Sequence, residues 1–423
     1  TELAGLRFGD RRGSPVPVEL RRGAAGRLEV RIGEQGVVLA PGDWSEEIPV
    51  RFAASPFFTV DAVVRVFLES IEPELRLYVS SPGFDPRAPR LAFTSPAGFA
   101  PELARNLGLF QTLGWPEPTA ALEAGALDEV GFLGDVATSF AFDRRLTLHE
   151  IDQRDADLVV SVFTQADRVA HLFHRFTDPR SPLYTPEGAQ RYGEVIDRAY
   201  DAMDEIVGDV MSRLRPDARL VVLSDHGFHA FDRQVNLNTW LAREGWMQGA
   251  SGGEDFAGVD WSRTRAYAVG VGSVYLNLRG REGQGIVVPG ADAEALLGEI
   301  GQRLLALRDP DSGAAVIAGV VRGSEAFPGA FAAGAPDLVV SFADGYRSSF
   351  ATARGASPEA VIEPNLHRWS GDHSASAAAD TPGVWISSFP IADESPALVD
   401  VAPTILGLLG VPVPEGLAGR ALQ

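Results

Sequence analysis

Two hydrophobic patterns divide the chain. Up to about residue 150, short segments alternate apolar and polar positions, as at 27–32 and 48–52, with turn signals at Pro41-Gly42 and Pro82-Gly83. Alternation of period two marks strands with one buried face, so this stretch is expected to be β-rich and irregular. From Asp157 onward the alternation stops. Leu158-Val159-Val160-Ser161-Val162-Phe163 and Leu220-Val221-Val222-Leu223 are short apolar runs, the pattern of strands buried on both faces of a sheet. Between them Tyr192, Val195, Ala199, Met203, Ile206, Val210 and Leu214 recur at helical spacing, with Thr185 as N-cap, Pro186 at the first helical position and Pro216 as the stop. Strand, helix and strand in that order predict a right-handed parallel crossover.

The same pattern continues towards the C-terminus. Short strand-like pieces fall within 261–278, an amphipathic helix within 291–307, and inner strands at Leu338-Val339-Val340 and Val384-Trp385-Ile386. Asp400 is expected to N-cap a last helix over 401–409, with Gly410 as its left-handed stop and Pro412 beyond. Residues 249–258 and 351–358, rich in Gly, Ser and Ala, are expected to be surface loops. The chain is expected to divide into a β-rich mixed region, 1–150, and an α/β core, 151–423, with a small insertion around 261–330.

Composition narrows the chemistry. At 423 residues, with 45% hydrophobic and 22% charged positions, the chain is long enough for two or three folded domains at a prior of roughly 150 residues each. Its net charge is −20, and every basic side chain is an arginine, because the sequence contains no lysine. A nucleic-acid backbone would be repelled, so no nucleic-acid partner is expected. An anionic substrate must instead be held by metal ions or a few arginines. The absence of cysteine excludes disulfides, thiolate nucleophiles and Cys-ligated zinc, leaving His and carboxylate as strong metal ligands. No apolar run approaches the ~18 residues of a membrane span, and no basic-then-apolar leader opens the chain. A first residue of Thr1 instead of Met points to a processed or truncated product.

The histidines point to a site. Six of the seven fall in three short clusters, His171 with His174, His226 with His229, and His367 with His373; His149 stands apart and is expected to be structural. Asp167 and His171 are four residues apart, which on a helical turn places a carboxylate and an imidazole on one face, able to grip one cation. Ser224-Asp225-His226-Gly227-Phe228 follows an expected inner strand, and Gly227 would allow an irregular turn through positive φ. Trp369-Ser370-Gly371-Asp372-His373-Ser374 lies in a loop between two expected strands. Ligands of open α/β sheets bind beyond the carboxyl ends of the strands, where all three clusters would lie. Their N and O donors suit Zn²⁺ or Mn²⁺, and two such ions a few ångströms apart are the arrangement for in-line displacement at phosphorus. Arg347, at the end of a strand, could clamp a phosphate, and His174 and Arg175 could touch substrate. The alternative for each is an ordinary surface residue.

Taken together, Asp167-x-x-x-His171, the strand ending in Ser224-Asp225-His226-Gly227-Phe228, Gly371-Asp372-His373 and the tail Val399-Asp400-Val401-Ala402-Pro403-Thr404 resemble the alkaline phosphatase superfamily. The nearest branch is the type I phosphodiesterase/nucleotide pyrophosphatase group, and within it the bacterial phosphohydrolase/phosphomutase-like proteins. Similarity extends to Asp260-Trp261-Ser262-Arg263, Tyr275-Leu276-Asn277-Leu278 and Gly42-Asp43-Trp44-Ser45, and so over nearly the whole chain. The resemblance implies a three-layer αβα fold with a mostly parallel central sheet, plus a β-rich irregular N-terminal or cap region. It implies a metal-dependent phosphoester hydrolase with two divalent ions, Zn²⁺ before Mn²⁺, acting on a small phosphate-ester substrate. Asp167, His171 and His373 would ligate one ion, and Asp225 and His226 the other.

The superfamily adds an aspartate and a Ser or Thr nucleophile from its first strand. Leu6-Arg7-Phe8-Gly9-Asp10 is only faintly similar to that strand, so the nucleophile is expected upstream of Thr1, and this chain alone would be slow or inactive. Two other outcomes fit the same residues: a catalytically inactive relative serving as a binding or scaffold module, or a phosphomutase or sulfatase of the same superfamily.

Overall fold

The alternating segments near the N-terminus do form antiparallel strands. In Leu28–Ile32 the side chains of Leu28, Val30 and Ile32 are buried while Glu29 and Arg31 face solvent. Strand Ile48–Ser55 likewise buries Ile48, Val50 and Phe52. The computed structural model describes residues 1–423 except 1, 4–6, 9, 10, 13, 56, 57, 113–116, 154, 250, 251, 378, 393 and 394. Asp10 and part of the 249–258 segment therefore lie outside the described residues.

The fold is mixed α/β, with two units: residues 1–169 with 197–218, and residues 170–196 with 219–423. In the first, Val16–Arg22, Leu28–Ile32 and Gln35–Leu39 form an antiparallel sheet, and Gly83–Phe84, Phe58–Val64 and Ile48–Ser55 form another. Their inward residues, among them Val18, Val30, Phe52 and Val64, share one core. Pro41-Gly42 is a turn, with Gly42 at φ +92°. Pro82-Gly83 is not, because Gly83 enters a strand and pairs with Val63. The 25-residue helix Glu129–Gln153 is absent from the pattern-based expectation for this region.

In the second unit Ala266–Ala268, Ser273–Leu276, Leu338–Phe342 and Ile317–Arg322 form an antiparallel sheet. Helix Ala291–Leu305, expected from its apolar stripe, buries Leu296, Leu297, Ile300 and Leu304 in the same core. Strand His229–Val235 runs parallel to Gly345–Ser348 and antiparallel to Ile362–Pro364 and Gly371–Asp372. Among the described strands this is the one parallel ladder. The mostly parallel central sheet is thus not what these strands assemble; they form several small sheets.

Several expected elements take another form. Residues 158–163 are not a strand, and Val160 and Val162 are 71% and 75% exposed, because no described strand pairs with this run. The expected parallel crossover therefore lacks its first strand. Val221–Leu223 is a strand, but it pairs antiparallel with Trp385–Ser387 and leaves Leu223 and Ile386 exposed. The helix after Thr185 begins as expected, with Thr185 Oγ1 accepting from the Gly188 amide at 3.0 Å. It breaks at Gly193 into Pro186–Tyr192 and Val195–Arg213.

Residues 351–358 are not a surface loop. Phe350–Ala353 is a helical turn, and Thr352, Ala356 and Ser357 are buried, with Thr352 Oγ1 accepting from the Leu237 amide. The last helix, Val401–Leu408, ends before Gly410 at φ +69° as expected. Asp400 does not cap it, because it already sits in a helical turn; its carboxylate accepts instead from the amides of Ala397 and Arg420. Among the described residues no helix is long and apolar enough to cross a membrane.

The helix Glu129–Gln153 buries an acid. Asp135 is 1% exposed and pairs with Arg65 at 2.5 Å. Burial pushes its carboxyl up to about 7; Arg65 opposes the rise, while Glu117 and Glu47 add to it. A carboxyl raised above its ordinary value of about 4 contributes its full stability below that value and loses it as pH rises through the folded-state pKa. The stability of wild type relative to Asp135→Asn should therefore fall between about pH 4 and pH 8 in urea titrations. A difference that is flat or rises over that range would contradict the assignment.

Candidate functional site

The second unit joins residues far apart in sequence. Strand His229–Val235 meets Gly371–Asp372 with His229 opposite Asp372 and Ala230 opposite Gly371. Asp225, His226 and Phe228, just before the first strand, are thereby brought beside His373, just after the second. Gly371 permits a close approach: a Cβ there would lie 2.4 Å from the Ala170 carbonyl oxygen and 2.3 Å from the His174 ring. Gly227 also works through space, not through positive φ as expected, since a Cβ on it would lie 2.6 Å from the Pro382 carbonyl oxygen.

The imidazoles gather around one aromatic ring. Phe228 stands edge-on to His171, His226 and His373 at centroid distances of 4.8, 5.6 and 5.1 Å. His226 stacks flat on His373 at 3.5 Å, and His171 on Trp369 at 3.7 Å. His171 Nδ1 lies 2.8 Å from the Gly371 carbonyl oxygen and His226 Nδ1 lies 3.1 Å from that of Gly227. A carbonyl can only accept, so in both contacts Nδ1 is the donor, and Nε2 is the ring nitrogen through which either imidazole could ligate a metal. Asp167 sits one turn before His171 on helix Gln165–Phe173, and ligand-type atoms of Asp167, His171 and His373 all lie within 4.8 Å of one another. Asp225 is the outermost of the five expected ligands: its side chain is 70% exposed, with Oδ2 3.4 Å from His226 Nε2.

Behind the histidines lies a buried ion pair. Asp372, 1% exposed, accepts from the amides of His373 at 2.8 Å and Ser374 at 3.0 Å and pairs with Arg347. Burial alone would raise the Asp372 carboxyl, but Arg347 and the two amides outweigh it and hold it below the usual carboxylate range. Arg347, expected at the surface as a phosphate clamp, is buried between the Phe231 and Phe350 rings, and burial lowers its own pKa against the pull of Asp372. Arg175 is likewise buried, over the Phe176 ring, with its amide donating to Ser370 Oγ.

His174 faces Phe228. Burial, reinforced by His229 and His171, lowers its pKa to about 4, so the ring is neutral at neutral pH. Three further polar residues bond or pack outside the group around Phe228. His229 Nε2 bonds Ser376 Oγ, His367 packs on Phe350, and the Tyr346 hydroxyl donates to Asp309. Sequence reasoning did not assign roles to Asp372 or Gly371, although both stand in the quoted motif; the adjacency of Gly and Asp to His373 was the available signal.

Residues 108–374 match the family model described as Type I phosphodiesterase / nucleotide pyrophosphatase, a span that includes all five expected ligands. The chain belongs to this family, which is part of the alkaline phosphatase superfamily. No curated protein and no solved structure matches the chain. The family implies phosphoester hydrolysis.

Asp372→Asn would leave the buried Arg347 guanidinium without its counter-charge. The variant should lose about 3–5 kcal/mol in urea unfolding. A loss below about 1 kcal/mol, the scale of an exposed pair, would mean that the carboxylate does not compensate the guanidinium.

Proposed function

We propose that the chain carries the site for two divalent cations, Zn²⁺ or Mn²⁺, at which the full-length protein hydrolyses small phosphate esters. Asp167, His171 and His373 would hold one ion, and Asp225 with His226 the other. The observation that carries this reading is the convergence of Asp167, His171 and His373 to within 4.8 Å, with the His226 ring flat against His373. The donors fit such ions: oxygen and imidazole nitrogen only, with Nδ1 of His171 and His226 engaged by carbonyls, as is usual for metal-bound histidines. Bonds of 2.0–2.1 Å put tetrahedral ligand atoms roughly 3.3 Å apart, so the first three, within 4.8 Å of one another, must draw in by up to about 1.5 Å. Asp167 Oδ2 is paired with Arg168, so the carboxylate would exchange that partner for the ion.

When bound, the two ions supply charge neutralisation at the phosphoryl oxygens and activation of the attacking oxygen. The protein's own groups do the rest. Phe228 and Trp369 wall off His171 from water, and Asp372 fixes the backbone that presents His373. Neutral His174 can exchange a hydrogen bond with substrate, whereas buried Arg347 and Arg175 act by positioning. At a net charge of −20 the chain repels a phosphate ester, which makes cations at the site necessary for capture. With only Asp225 and His226 from this chain, the second site should bind its ion more weakly than the first.

The test is the metal content of the full-length polypeptide together with hydrolysis of aryl phosphate mono- and diesters. Two ions per chain are expected, the ion at the first site being lost in His171→Ala and the second in Asp225→Ala. Loss of a supporting outer residue already costs about 10–100-fold, so activity should fall by at least ~100-fold in each variant. Absence of bound metal, or unchanged activity in either variant, would sink the reading. Full metal occupancy with no hydrolysis of any ester would select the inactive-relative alternative.

A further inference from the structure

The first unit encloses a second polar constellation that the phosphoester site does not use. Along helix Glu129–Gln153, Asp135, Thr138, Ser139, Phe142 and Asp143 occupy one face and line a cavity of roughly 100 Å³ together with Glu47, Arg65, Phe110 and Gln111. The buried face of a helix packed on a sheet is ordinarily apolar. Here it carries acids. Each nitrogen of Arg65 is already engaged, with Asp135 at 2.5 Å, Thr138 Oγ1 at 3.1 Å and the Ser45 carbonyl at 3.2 Å.

The remaining acceptors exceed the donors. Asp135 is 1% exposed, and its Oδ2 is buried with no hydrogen-bond partner. Glu117 is wholly buried; its Oε1 accepts from Ser139 and from Gln165 Nε2, and its Oε2 has no partner. Gln165 Nε2 also donates to Asp143 Oδ2 at 2.8 Å, while its own Oε1 is buried and unpartnered. Glu47, Asp135 and Asp143 thus line the cavity with the one guanidinium of Arg65 among them, and a buried acceptor without a partner, as Asp135 Oδ2 is, is costly. A bound cation would compensate the Asp135 carboxyl.

We propose that this cavity binds a small organic cation, an alkylammonium ion. A metal ion is the poorer fit. Among the described residues the one group of ligand atoms close enough to grip a metal is Asp167, His171 and His373, so the carboxylates here are too dispersed for direct coordination. An ammonium carrying methyl groups is larger and accepts dispersed carboxylates. The remaining wall is aromatic: Phe110 and Phe142 stack at 4.9 Å, and the Arg145 guanidinium over the Phe142 ring at 5.8 Å is a cation already held by this pair.

This inference stands apart from the phosphoester reading and can fail without it. Methylammonium and tetramethylammonium chloride would be titrated calorimetrically into the full-length protein against sodium chloride at matched ionic strength. Saturable one-to-one binding is expected, weakened by at least about tenfold in Asp143→Asn and in Phe142→Leu, with bound transition-metal content unchanged. Nuclear Overhauser contacts from the ligand methyl protons to the Phe110 and Phe142 rings of wild type are expected as well, and they keep the test decisive if a variant fails to fold. The proposal is overturned if neither ammonium ion saturates by about 50 mM, if those ring contacts are absent, or if Ca²⁺ alone binds in an Asp143-dependent way.

Discussion

The buried carboxylate of Asp372 is the constraint on which the candidate site rests. An ionised group in a protein interior is tolerated only when its charge is compensated, and Asp372 has the amides of His373 and Ser374 on Oδ1 and the Arg347 guanidinium as the ion partner of Oδ2. Each of these partners belongs to a different job. The amides fix the turn that presents His373, and Arg347 ties that turn to strand Gly345–Ser348, which runs parallel to His229–Val235. One charge therefore sets the distance between the His226 and His373 segments. The adjacent Gly371 does the same towards helix Gln165–Phe173, since any side chain there would push the Ala170 carbonyl and the His174 ring away.

Much of this site was legible in the sequence because its signals are short-range. Asp167 and His171 are related by one helical turn, and the helix is there. The bunching of histidines marked three segments, and His171, His226 and His373 come together from them. The Thr185-Pro186 start and the Gly410 stop were equally local and took the expected form. What misled was partnership. The apolar run at 158–163 has the composition of an inner strand, but a strand is made by its neighbours, and among the described strands none flanks it. For the same reason strand direction was misjudged: hydrophobic pattern fixes which face is buried, not whether the adjacent ladder is parallel.

Arg347 and Arg175 illustrate a second kind of miss. Arginine is rarely buried, so a position after a strand or on a helix end favours the surface. Both are instead buried because aromatic rings and, for Arg347, a carboxylate replace water around the guanidinium. Helix Glu129–Gln153 went unrecognised for a related reason. Its inward face is interrupted by Asp135, Ser139 and Asp143, so it lacks the continuous apolar stripe by which amphipathic helices are found.

The two acidic constellations differ in the kind of ion their geometry can hold. Around Phe228 the donors are imidazole nitrogens, joined by carboxylates within a few ångströms, which favours an ion that forms short directional bonds. Around Arg65 the donors are carboxylates alone, held apart by a glutamine amide and a serine hydroxyl and bordered by aromatic faces. Such a shell has charge without convergence, so it rewards a diffuse cation over a compact one. In a chain with a net charge of −20, long-range attraction draws every cation alike. Selectivity between the two places must therefore come from donor spacing, which is fixed by a strand register in one case and by the period of a helix in the other.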